Sequence, residues 1–217
     1  VASYSIVDQA VETFNFTQKP MRTIHVTCRP QALDETTSRD FFQIIDSLSA
    51  AIARSSDVPT ALSLLLQRSV AHATTHNFTE ALNDLNDYLS IDSTSLLAHW
   101  QRAYCQVMLS DYNAQQGIEA QLSVKRAQDD LRMALSQDAD NSLLAYNLAT
   151  LLAMQKQYAE AIDLYRRALK LNPNLAEAWF NLGLSLVFSG QKEEGLRYLS
   201  KAGELGLYDA YSVMKQF

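Results

Sequence analysis

SLLAYNLATLLAMQKQYAEAIDLYRRALKLNPNL (Ser142–Leu175) runs without a gap into AEAWFNLGLSLVFSGQKEEGLRYLSKAGELGLYD (Ala176–Asp209), and the two stretches share one pattern. With Ser142 and Ala176 as position 1 of a 34-residue period, position 7 holds Leu148 and Leu182, and position 8 holds Ala149 and Gly183. Position 20 holds Ala161 and Gly195, position 24 Tyr165 and Leu199, and position 27 Ala168 and Ala202. Small residues at 8, 20 and 27 let two helices approach closely, and large ones at 4, 7, 11 and 24 fill the space between them. Each period therefore reads as a pair of amphipathic helices that cannot hide its apolar face alone and must stack on a neighbour.

The period extends upstream. NFTEA (Asn77–Ala81) matches QYAEA (Gln157–Ala161), which sets a repeat over about 62–93. Arg102 and Ala103 follow Arg68 and Ser69 by 34 residues and open a repeat over 96–139. In that repeat Ala127, Leu131 and Ala134 stand at positions 20, 24 and 27, displaced by a 12-residue insertion around Ser110–Val124. The insertion reads as an early-starting second helix, and either as a surface extension or as a functional loop. Two further repeats cover 142–173 and 176–206. A helix at 40–54, capped by Ser38 or Asp40, is the expected N-terminal cap. A helix at 208–216, with Tyr211 and Met214 available for packing, is the expected C-terminal one.

This arrangement of large and small residues resembles the tetratricopeptide repeat (TPR) family. The resemblance implies an all-α, right-handed α-solenoid of about four helix pairs with capping helices at both ends, occupying 40–217. It also implies a concave face lined by the first helix of each repeat, where such proteins usually bind a peptide segment.

Residues 1–39 do not follow the period. Met21, Thr23, His25 and Thr27 alternate with Arg22, Ile24, Val26 and Cys28, a strand-like pattern that Pro30 ends. Such a piece either docks on the helical array or is the tail of an upstream domain, and the second is the favoured expectation. The chain begins with Val1 rather than Met, which fits a fragment or processed product.

Composition narrows the function. The net charge of −6 argues against a general nucleic-acid binder, and no apolar run is long enough for membrane insertion. Cys28 and Cys105 form no metal-type pair. No signal peptide is legible, so the compartment stays open: cytoplasmic, or extracytoplasmic if a leader was removed upstream. His72 and His76 are four apart on one helix but lack the glutamate of a zinc protease and any third ligand, so no metal is expected. No phosphate loop, nucleophile elbow or catalytic triad is assignable. The expectation is a non-enzyme with no cofactor.

Under the resemblance, the face that binds is read from a few columns. Position 6 holds Gln67, Gln101, Asn147 and Asn181. One amide per repeat offers a donor and an acceptor to the main chain of an extended peptide. A solvated polar column is the competing reading. Trp100, Tyr146 and Phe180 at position 5, with Tyr104, Thr150 and Leu184 at position 9, would supply apolar pockets. Position 2 holds Ser63, Leu97, Leu143 and Glu177, so the Lys/Arg clamp that some TPR domains use on a terminal carboxylate is missing. The expected ligand is a protein or peptide with hydrophobic side chains, neutral or mildly basic. The alternatives are a structural or regulatory segment of a larger protein, and a module for self-association into a homo-oligomer. On this reading Asn147→Ala and Asn181→Ala cost no more than roughly 0.5 kcal/mol, as exposed positions do.

Overall fold

The computed structural model describes residues 34–112 and 118–217. Among these the chain is all-α, with ten helices: α1 (Glu35–Arg54), α2 (Val58–Thr74), α3 (Phe78–Ile91), α4 (Leu96–Tyr112), α5 (Ile118–Gln137), α6 (Ser142–Met154), α7 (Tyr158–Leu171), α8 (Ala176–Phe188), α9 (Lys192–Glu204) and α10 (Asp209–Met214). They fall into two compact units, the first with α1 to α5 and the second with α6 to α10. Within each unit every helix packs on the next in sequence. The strand-like reading of 1–33 and the centre of the insertion, 113–117, lie outside the described residues.

Each helix start has a local cause. The Asp34 carboxylate accepts from the Thr37 backbone N–H at 2.7 Å, so α1 begins five residues before the expected Asp40. This corrects the choice of Ser38 or Asp40 as cap. Asp34 wins because its side chain reaches the N–H three residues on. Asp57 caps α2 in the same way through Thr60, with Pro59 in the first turn, and Asn141 caps α6 through Leu144. Asp34 and Asp57 are held below the usual carboxylate range by these hydrogen bonds.

The first helix of a repeat ends by one device used three times. His76, Lys156 and Gly190 all stand at position 15 with φ of 63°, 60° and 92°. This left-handed residue lets the next N–H reach back to a carbonyl five residues earlier: Asn77 to His72, Gln157 to Leu152, Gln191 to Leu186, at 2.8–2.9 Å. Only the last of the three is the glycine that such a turn favours.

The small positions work as spacing predicts, most tightly in the last repeat. A Cβ on Gly183 would stand 2.7 Å from the Gly195 carbonyl oxygen, and one on Gly195 would stand 2.5 Å from the Gly183 carbonyl oxygen. Earlier repeats place Ser69/Ala81 and Ala149/Ala161 at these positions, so α8 and α9 need the least side chain of any pair. Gly195→Ala gains about 1 kcal/mol of helix propensity. The clash is with backbone, which cannot swing aside, so overpacking of about 1–3 kcal/mol prevails. The expected result is a lower melting temperature, read by circular dichroism.

At the C-terminal end the covering role falls mainly to Ala210 and Val213, both buried. Tyr211 remains two-fifths exposed and lays its ring against Gly203. In the insertion-bearing repeat, α5 starts nine residues before Ala127, whereas α7 starts three before Ala161, so the extra residues partly lengthen a helix.

Candidate functional site

In the first unit the candidate side chains lie on α2 and α4, which touch each other. Gln67 is half-buried and donates to Ser63 Oγ at 3.1 Å. Gln101 is only 1% exposed. Its Nε2 points at Cys105 Sγ at 4.0 Å, and its Oε1 has no partner among the described residues. The neighbouring Trp100 is 4% exposed, and its Nε1 also lacks a partner. Tyr104 is buried with its ring edge-on to Phe78.

In the second unit the amides sit on α6 and α8. Asn181 is wholly buried. Its Nδ2 lies 3.3 Å from both Tyr146 Oη and Thr150 Oγ1, side chains one repeat earlier. Tyr165 Oη donates to Thr150 Oγ1 at 2.9 Å, and burial pushes its phenol well above the usual range. Thr150 Oγ1 in turn donates to the Tyr146 carbonyl at 3.0 Å. Asn181 Oδ1 is left without a partner among the described residues. Asn147, Phe180 and Leu184 are buried too.

This corrects the expectation of a column open to solvent: three of the four amides are sealed from water. The cause is geometric. Position 6 of one repeat lands on the hydroxyls at positions 5 and 9 of the repeat before it, so the amide enters the packing between successive first helices. Asn181→Ala therefore costs about 1 kcal/mol through its lost hydrogen bonds, more than an exposed site would. Urea denaturation of the single variant measures this.

The orphaned atoms carry the chemistry. A buried polar atom without a partner costs about 1–3 kcal/mol, and interiors hold few of them. Trp100 Nε1 is a donor and Gln101 Oε1 an acceptor, on consecutive residues. Together they complement one peptide group, which brings one C=O and one N–H.

The sequence reading missed two buried ion pairs. Arg68 at position 7 grips Asp84 at position 23 with two hydrogen bonds of 2.9 and 2.6 Å, and its third nitrogen reaches Ser49 Oγ. One repeat on, Arg102 grips Asp130 at 2.9 and 2.8 Å, and His99 joins through Nδ1 at 2.7 Å while its Nε2 meets the Ser93 carbonyl. Both pairs tie the first helix of a repeat to its second. The detectable signal was Arg at position 7, where the later repeats carry leucine, with Asp sixteen residues on in the first repeat. A recess of about 410 Å³ beside the second pair is lined by Asn86, Arg102, Gln106, Ser123, Arg126 and Asp129, but its Arg102 is already committed to Asp130 and Asn86.

Cys105 is fully buried rather than half-buried. His72 sits 3.9 Å from Asp84, and burial lowers its pKa. Among the described residues no group of three or more His, Cys, Asp or Glu side chains could hold a metal, and no helix is long and apolar enough to cross a membrane.

Two family models match the chain: TPR repeat over residues 151–187 and tetratricopeptide repeat over 176–205. Photosystem I assembly protein Ycf3 of Acaryochloris marina is 35% identical over 71 residues, which is 32% of this chain and 43% of that protein, less than half its length. The crystal structure of MamA superposes with a TM-score of 0.62 at 20% identity, covering 83% of this chain and 99% of that one. MamA 41-end from Desulfovibrio magneticus RS-1 gives 0.60 at 15% identity over 80% and 97%. At these identities the structural likeness concerns the fold alone.

Proposed function

Since this chain carries tetratricopeptide repeats, a protein-interaction scaffold, we propose that its first unit grips the main chain of an extended polypeptide segment at Trp100 and Gln101. The observation that carries this reading is the pair of adjacent, buried and unpartnered atoms, one donor and one acceptor. A peptide group laid against them returns a hydrogen bond to each. Trp100 and Tyr104 give such a segment apolar contact, so affinity comes from main chain and selectivity from alternate side chains. Gln67 lies on the neighbouring helix of the same face. In the second unit Asn181 Oδ1 offers an acceptor to a main-chain N–H, with Asn147, Tyr146, Thr150, Phe180 and Leu184 around the same pair of helices. The ligand is a hydrophobic or aromatic segment without a required terminal carboxylate. Catalysis has no part in this reading.

The test uses Trp100 as reporter in a Trp179→Phe background, since the chain has two tryptophans. Titration with a broad library of extended apolar peptides should give a saturable emission shift. Gln101→Leu keeps the volume and removes a buried orphan, so stability should hold or rise while binding weakens about tenfold, the loss of one good hydrogen bond. No saturable shift across the library, or binding indifferent to Gln101→Leu, overturns the reading.

A further inference from the structure

We propose that the resident occupant of the Trp100–Gln101 face is Met21–Cys28 of the same chain, bound in extended form as an intramolecular ligand that an outside partner must displace. This rests on the reading above and names the segment that the site takes.

Four observations converge on it. First, Met21 to Cys28 alternates like a strand, yet no strand exists among the described residues for it to join. Its main-chain N–H and C=O groups need partners, and a lone hairpin is marginal in water. Second, the face has the complementary need, because Trp100 Nε1 and Gln101 Oε1 are nine-tenths buried and unpartnered among the described residues. Third, the side chains agree. Ile24, Val26 and Cys28 fall on one side of the alternation, the side that would meet Trp100 and Tyr104. Residues 14–29 carry Lys19, Arg22 and Arg29 and no Asp or Glu, on a chain whose net charge is −6. Fourth, the reach is right. The segment joins α1, which packs on α2, which touches α4. The six residues from Arg29 to Asp34 span at most about 20 Å, and two helix-packing steps of 8–10 Å cover about the same distance.

A tethered ligand acts at a local concentration on the order of millimolar. It therefore lowers the apparent affinity for every competing peptide while protecting the apolar face from indiscriminate contacts.

Amide hydrogen exchange on the full chain tests this. In the unsubstituted protein the amides of residues 21–28 should exchange at least tenfold more slowly than their unstructured rate, independently of protein concentration. Gln101→Leu should abolish that protection while α4 stays protected. Ile24→Asp/Val26→Asp, outside the helices, should raise the affinity of library peptides about tenfold and move Trp100 emission to the red. Unprotected amides at 21–28 overturn the proposal. If peptides still shift Trp100 emission in that case, the site stands and only its intramolecular occupant falls; if they do not, both fall. Protection that disappears on dilution assigns the segment to a second copy and also overturns the intramolecular assignment.

Discussion

Asp84→Ala is expected to lower the unfolding free energy by about 3–5 kcal/mol, the range for removing one partner of a buried ion pair. The carboxylate is nearly buried and satisfies two nitrogens of Arg68, itself only about a fifth exposed. Without it the guanidinium keeps Ser49 Oγ and loses its counter-charge in a place that water reaches poorly. Arg68→Leu leaves the converse defect, a buried carboxylate whose nearest cation is His72 at 3.9 Å. The double variant Arg68→Leu/Asp84→Leu should regain most of the loss, because hydrophobic replacement of a buried pair is often neutral or stabilising. The chain offers its own precedent, since positions 7 and 23 of the third repeat are Leu148 and Leu164. Urea denaturation of the two single variants and the double closes the cycle. Equal losses in all three would mean that the pair contributes nothing as a pair.

Leu148→Ala is expected to cost about 2–5 kcal/mol, as a buried large-to-small change that loses transfer energy and leaves a cavity. Leu148 lies among Leu144, Leu151 and Leu152, all buried on α6, and near the small residues Ala145 and Ala149 that hold the helices close. Close helices limit collapse around the hole, which places the cost toward the upper half of the range. Leu148→Met, of nearly the same volume, should cost less than about 1.5 kcal/mol. The pair of variants separates volume from hydrophobicity in a single set of thermal melts. A cost under 1 kcal/mol for alanine would show that the position is not core.

Both predictions concern position 7, and they show how far a one-dimensional reading reached. Leucine at 148 and 182 was legible as core because the period repeats it against alanine and glycine, and the spacing of a helix then dictates the face. Arginine at 68 and 102 occupies the same column, yet its meaning depended on what the second helix placed opposite. Asp84 lies sixteen residues away and Asp130 twenty-eight, because the insertion intervenes between the second pair alone. The turn at position 15 was hidden for a related reason: glycine marks a left-handed residue at 190, but His76 and Lys156 adopt the same conformation under the pull of the helix end.

The candidate site divides in the same way. The recurrence of amides at position 6 was legible, as was their placement on first helices. Their depth was not. Asn181 reads as a surface residue by type, and only the approach of Tyr146 and Thr150 from the preceding repeat encloses it. The orphaned Trp100 Nε1 and Gln101 Oε1 have no signature in the chain at all, since a missing partner is a property of the surroundings.

The order of residues alone determined that this protein is built of paired helices with a 34-residue period, because packing of large against small side chains imposes a spacing that survives in one dimension. Tertiary structure alone decided which polar groups are sealed, which charges are paired and which atoms are left wanting a partner. Those outcomes depend on distances between residues far apart in the chain, and burial multiplies the energetic consequence of each.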